Sequence, residues 1–214
     1  MKPMIKGWPY WIRLMLTALF FLLFAVAAIS YRQAVNYLHP ARQISWGTLL
    51  QEQGIDVQEI ELITQDKVRL SAWYTPPKNG AVILVAHGYG GSRPEHYHAL
   101  FASHGYGVVS WDFRAHGRSE GEFTSLGYYE TLDAKAALDF ALAQPGVEHV
   151  GAWGGSMGAV TMIRAAAQYP EIEALVSWRV DARGRQERIA EPLRPHHREH
   201  ELEHDRRHVR RDAE

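Results

Sequence analysis

The chain has 214 residues, 46% of them apolar and 22% charged, with a formal net charge of -1 and no cysteine. That is enough length and apolar content for one packed domain, so disorder throughout is excluded. The near balance of charge argues against a nucleic acid as partner, and the lack of cysteine excludes a disulfide framework, thiolate zinc sites and a cysteine nucleophile.

From Leu14 to Tyr31 no residue is charged, and the run LMLTALFFLLFAVAAI within it is almost wholly apolar. About 17–20 helical residues cross the hydrocarbon core of a bilayer. Lys2, Lys6 and Arg13 make residues 1–13 a basic flank that stays in the cytoplasm and leaves the remainder outside. Trp8, Tyr10, Trp11 and Tyr31 stand where interfacial aromatic rings settle. A secretory signal peptide has the same order, and Ala25-Val26-Ala27 offers a cleavage site, after which the protein would be secreted. A buried core helix would carry a polar face, whereas here only Thr17 and Ser30 interrupt the run. The favoured reading is a single-pass anchor in the lipid bilayer at residues 14–31.

Residues 32–54 read as a polar, partly helical linker, and a domain begins at residue 55. Val57 to Leu62 and Val68 to Trp73 alternate apolar with polar around a turn at Gln65-Asp66, which predicts two antiparallel strands. After Pro76-Pro77-Lys78-Asn79-Gly80, the unbroken apolar run Ala81 to Ala86 predicts a strand covered on both faces. A helix follows at Pro94 to His104, a strand at Gly107 to Trp111, and a long helix from about Gly127 to Gln144 with Tyr129, Leu132, Ala136 and Phe140 on one face. A strand at Val147 to Trp153, a small-residue helix ending at Tyr169-Pro170 and a short strand at Ala174 to Ser177 complete the pattern. Strands alternating with helices make this an α/β fold with a mostly parallel sheet flanked by helices.

Gly154-Gly155-Ser156-Met157-Gly158 lies directly between an apolar strand and a helix. A tight turn there lifts Ser156 above the carboxyl edge of the sheet in a strained conformation, and side-chain-free Gly154 and Gly158 let strand and helix close around it. A serine attacking a carbonyl needs amides aimed at the oxyanion. The amide of Met157, first in the helix, and that of Tyr89, in the loop His87-Gly88-Tyr89-Gly90-Gly91, leave parallel strands at the same edge.

Together with Asp112-Phe113-Arg114-Ala115-His116-Gly117-Arg118-Ser119, these two motifs resemble the alpha/beta-hydrolase superfamily, in particular its serine aminopeptidase and lysophospholipase-like branch, some members of which carry an amino-terminal membrane helix. The resemblance spans about residues 56–177. It implies Ser156 as nucleophile and the amides of Tyr89 and Met157 as oxyanion donors. His87, Gly88, Gly154, Gly158, Asp112, Arg114 and His116 are implied as motif residues, the last three structural and loop-positioning. The substrate would be a small molecule, a lipid or a peptide with an ester or amide bond, and no metal or organic cofactor is implied. Ala115 departs from the usual glycine. The family's acid and base come later in the chain, in the order Ser, Asp, His, and His116 is a remote substitute for that base.

From Trp178 the character changes. Residues 178–214 hold ten arginines, no lysine, five histidines and nine acidic residues, with isolated apolar residues such as Ile189, Leu193 and Leu202. This reads as a charged, disordered tail, as if from an altered frame or premature end. It cannot supply the two further strands, the cap, the acid and the histidine that the resemblance implies. The expectations are little or no turnover, and a strand at Ala174 left as an uncovered edge. Two rival readings remain. One is a noncatalytic, membrane-tethered binding module. The other is a zinc hydrolase through His200-Glu201-Leu202-Glu203-His204, which matches HExxH but has nothing to pack it.

Overall fold

The computed structural model describes residues 8–180 and 186–192, with side chains as far as Trp178. In chain order its elements are α1 (Tyr10–Leu38), α2 (Thr48–Glu52), β1 (Gln58–Ile63), β2 (Arg69–Thr75), β3 (Ala81–Ala86), α3 (Glu95–Ser103), β4 (Gly107–Trp111), α4 (Glu130–Leu142), β5 (His149–Gly155), α5 (Met157–Gln168), β6 (Ile172–Val180) and β7 (Gln186–Pro192). The strands form one sheet in the order β1-β2-β4-β3-β5-β6-β7. The central four, β4, β3, β5 and β6, run parallel, while β1, β2 and β7 join antiparallel.

Burial explains the order. All of β4 is buried, as are Val82, Leu84, Val85 and Ala86 of β3, because helices cover both faces of the centre. On one face, α4 and α5 pack Ala134, Leu138, Met162 and Ala165 onto Leu84, Val109, Trp111 and Ala152. On the other, Tyr97 and Phe101 of α3 pack with Val85, Val108 and Trp153, the Tyr97 and Trp153 rings stacking at 3.7 Å. Leu50 of α2 reaches the same side against Trp73 and Ala99. Edge strand β1 buries Leu62 and leaves Glu59 and Glu61 exposed, a charged edge that discourages pairing with another chain.

Register does the most for function. Ala86 of β3 lies opposite Trp111 of β4 and opposite Gly154 of β5, and Gly154 opposite Ser177 of β6. The loops that follow β3, β4 and β5 therefore leave the sheet level with one another. The chain moves from β3 to β4 on one side and then crosses to β5 and β6 on the other, so the connections that leave β3 and β5 run in opposite directions along the sheet. Such a reversal opens a crevice where α/β sheets bind their ligands.

Four features depart from the expectations. The inner face of α4 carries Glu130, Asp133, Ala134, Ala137, Leu138 and Ala141, while Tyr129 is exposed and Leu132, Ala136 and Phe140 are half-buried. Two carboxylates point inward because other elements supply their partners, which an apolar pattern cannot register. The strand at Ala174 is not an edge: β6 extends to Val180 and pairs antiparallel with β7, which lies within residues read as a disordered tail. The domain's ordered structure thus passes the expected boundary at residue 177. The apolar helix runs well beyond residues 14–31, and none of its residues is buried. Finally, the stretch read as a linker is bonded to the domain: Glu95 accepts hydrogen bonds from Ser45 Oγ, the Gly47 amide (2.8 Å) and the Leu49 amide (2.9 Å).

Candidate active site

Ser156 closes β5 and begins α5 with φ 52° and ψ −113°, exposed to solvent. A non-glycine residue in that region is strained, and such strain gathers at functional sites. The packing around it leaves no other course for the backbone. A Cβ on Gly154 would lie 2.7 Å from the Ala159 nitrogen, and one on Gly158 would lie 2.6 Å from the His87 oxygen. Strand, helix and the β3 loop thus meet backbone to backbone.

The β3 loop reaches the serine directly. A Cβ on Gly88 would stand 3.4 Å from Ser156 Cβ. The Gly91 amide donates to Gly88 O at 3.1 Å, closing a turn whose third residue, Gly90, has φ 69°. Tyr89 sits at the second position, so its N–H lies outside the turn's own hydrogen bond. Met157 is the first residue of α5, where a helix leaves its amides unpaired and its dipole favours negative charge. Tyr89 thus lies in the loop packed against the serine, and Met157 follows the serine directly in the chain.

Both nearby histidines serve as staples between loops. The ring of His87, fully buried, donates Nδ1–H to Gly88 O (2.6 Å) and accepts the Phe113 amide at Nε2 (3.0 Å). His116 donates Nδ1–H to Arg114 O (2.9 Å) and accepts the Gly90 amide at Nε2 (3.1 Å). These contacts fix the neutral tautomers, with the lone pair of each ring already engaged. Burial carries His87 down to about 3 and also lowers His116, against the hydrogen bonds that favour their charged forms. His116 is thus held as a link between loops, its Nε2 lone pair engaged by the Gly90 amide. His104 bonds Leu100 O at the far end of α3.

The β4 loop is held by charge. Buried Asp112 accepts the Arg93 amide (2.8 Å) and the Arg118 amide (3.0 Å), lies 3.4 Å from Arg93 Nε, and fills the space beside Gly117, where a Cβ would fall 2.5 Å from Asp112 Oδ1. Arg114 grips Asp133 of α4 through Nε (2.9 Å) and Nη2 (2.7 Å) and Asp66 of the β1–β2 turn through Nη1 (2.7 Å). Burial opposes its charge, but the bonds to Asp66 and Asp133 outweigh that and hold the guanidinium ionised. Burial also pushes the Asp133 carboxyl up, to about 7, with Arg114 opposing. Ala115, with φ 61°, occupies the left-handed region that the usual glycine would fill.

Several of these partners were not legible in the sequence. Arg93, buried with its guanidinium 4.0 Å above the Trp73 ring and 2.9 Å from Glu59, is one. Glu130 is another: it accepts Thr124 Oγ1 (2.7 Å), Ser125 Oγ (2.6 Å) and the Gly127 amide (2.7 Å), and although burial works against its charge those bonds lower its pKa. Among the described residues no cluster of three or more His, Asp or Glu could hold a metal, and the His200–His204 motif lies outside those residues.

A mixed sheet with a parallel centre wrapped by helices, and a strained serine between strand and helix at its switch point, defines an alpha/beta hydrolase. Residues 34–182 match the family model of the X-Pro dipeptidyl-peptidase (S15 family), and the chain belongs to that family. The Pf2001 esterase of Pyrococcus furiosus superposes with a TM-score of 0.60 at 30% identity, over 65% of this chain and 55% of that one. An uncharacterized protein of Mycobacterium tuberculosis is 31% identical over 120 residues, 53% of this chain and 42% of its own length. The lysophosphatidylserine lipase ABHD12 of Mus musculus is 29% identical over 133 residues, 50% of this chain and 33% of its own. The chain thus spans less than half the length of these two relatives.

Proposed function

We propose that the protein is a membrane-anchored serine hydrolase in which Ser156 attacks the carbonyl carbon of an ester or amide. The observation that carries this reading is the backbone of Ser156, strained and exposed at the switch point with Gly88 against its Cβ. The bond from Oγ to carbon forms as the carbonyl π pair moves onto oxygen, where the amides of Tyr89 and Met157 receive it. Collapse expels the alcohol or amine and leaves an acyl-serine, which water then hydrolyses. The esterase and lipase among the relatives support an ester, and the family's dipeptidyl-peptidase an amide.

The proton leaving Oγ needs a base, and among the described histidines near the serine both rings are engaged with backbone. Losing the histidine of a comparable triad costs on the order of a millionfold in turnover, while binding and the oxyanion hole still contribute roughly 10³-fold or more. The 214-residue chain is accordingly proposed to turn over slowly. The test is covalent: a fluorophosphonate held with the folded chain for hours at pH 9, followed by peptide mapping. An adduct at Ser156 that is absent from Ser156→Ala and from the heat-unfolded chain, and indifferent to a chelator, supports the reading. Equal labelling of folded and unfolded chains overturns it. Rapid hydrolysis of a p-nitrophenyl ester, abolished in Ser156→Ala, would overturn slow turnover alone.

The anchor is part of the proposal. Among the described residues α1 is the helix long and apolar enough to cross a membrane. Its Phe20, Phe21, Leu22, Leu23 and Phe24 all face outward, which water would not tolerate on a free helix. The basic flank keeps the amino end cytoplasmic and the hydrolase domain outside.

A further inference from the structure

The last turn of α1 does not lead into a free linker; it is bonded to the loops bordering Ser156. Tyr89 Oη donates to the Tyr37 carbonyl at 2.9 Å, with the two rings 6.2 Å apart, and the Thr124 amide donates to the Leu38 carbonyl at 2.8 Å. Just beyond, Arg42 Nη1 donates to the carbonyls of Gly117 (3.3 Å) and Ser119, and Nη2 to Gly121 (2.9 Å). That loop carries His116, whose ring holds the Gly90 amide. Helix end, Tyr89 turn and β4 loop form one bonded unit at the carboxyl edge of the sheet.

This unit sets a height above the membrane. Tyr31 closes the uncharged stretch, and at a rise of about 1.5 Å per residue Leu38 stands only about 10 Å beyond it, close to the depth of a headgroup layer. The same edge displays apolar side chains. Phe123 (44% exposed), Leu126 (48%) and Tyr128 (62%) project from the loop bonded to Leu38, and Val160 (46%) and Ile163 (48%) from α5 after Ser156. The two groups adjoin, since a Cβ on Gly127 would lie 3.2 Å from Val160 Cγ1. Arg164 stands over the Tyr128 ring at 5.6 Å, and Arg32 follows the span. Bare aromatic and aliphatic groups beside arginine make a surface suited to lipid headgroups.

We infer that the rim formed by Phe123, Leu126, Tyr128, Val160 and Ile163 rests on the headgroup layer of the bilayer that α1 crosses, with Tyr37 and Arg42 as positioning residues. The ester presented to Ser156 is then one carried by that bilayer. The substrate clause rests on the serine-hydrolase reading; the seating of the rim does not.

The absence of native cysteine makes a single introduced thiol a clean probe. The full chain, reconstituted in phosphatidylcholine and phosphatidylglycerol vesicles, carries a fluorophore at Tyr128→Cys or at Lys78→Cys, which precedes β3 at the opposite edge of the sheet. With lipids spin-labelled on the headgroup, quenching at position 128 should exceed that at position 78 at least threefold. Arg42→Ala should remove at least half of that difference with the circular dichroism unchanged. Equal quenching at the two sites, or none at either, overturns the seating, and a difference that survives Arg42→Ala overturns the role of Arg42. A seated rim without a Ser156 adduct would sink the hydrolase reading instead, and an adduct without quenching would sink only the seating.

Discussion

Two segments at the same edge of the sheet are held by different physics. The turn at residues 154–158 is fixed by steric necessity: glycine backbones touch backbones. The loop at residues 112–121 is fixed by charge, with buried Asp112 bonded to Arg93 in the loop before α3 and buried Arg114 to Asp133 of α4 and Asp66 of the β1–β2 turn. The first device holds one residue to within a fraction of an ångström but tolerates no added atom. The second spans larger gaps, yet each ion depends on every partner being in place. His87 and His116 tie the charged loop to the glycine loop at residues 87–91, which packs against the serine.

The comparison can be broken at four points. Gly158→Ala should have the largest effect, since its new Cβ would lie 2.6 Å from the His87 oxygen and α5 could not close on β3. A loss of about 4 kcal/mol or more is expected, seen as disappearance of the cooperative thermal transition. Arg114→Met should cost about 3–5 kcal/mol by urea unfolding, because Asp133 would stay buried without its cation. Adding Asp133→Leu should recover part of that, as steric repair cannot at Gly158.

His87→Gln probes the staple through pH. The folded-state pKa of about 3 lies below the 6.5 of the unfolded chain, so the unfolded state takes up the proton first. The stability this ring contributes is complete above pH 6.5 and is lost as pH falls toward 3. At pH 5 the loss is about 2 kcal/mol. The variant should be weaker at pH 7 but should lose about 2 kcal/mol less than the native chain between pH 7 and 5 in parallel melts. Ala115→Gly is the smallest change: with φ 61° relieved of its Cβ penalty, it should raise stability by about 0.5–1 kcal/mol, read as a small rise in Tm.

Legibility followed the source of each element's stability. Strands β3 and β4 match the apolar runs residue for residue because both faces are buried and the pattern is uninterrupted. The apolar stripe of α4 does not mark its most buried face, because Glu130 points inward to the loop just before the helix and Asp133 to Arg114 on the β4 loop. Strand β7, with the sequence QERIAEP, shows no strand pattern of its own; its ladder comes from the exposed backbone edge of β6. Arg42 and Glu95, which clamp the segment after α1, look like ordinary surface charges until the loops they hold are in place.

Local chemistry was enough to write the serine turn and the long apolar helix: glycine, serine and an apolar run express their conformation within a few neighbours. Whether a histidine is a base or a staple is a different kind of fact. The rings of His87 and His116 each accept an amide 26 positions away, across strands aligned at Ala86, Trp111 and Gly154. Their protonation was therefore settled by burial and by contacts between segments far apart in the chain, because a lone pair is engaged only when folding brings its donor within reach.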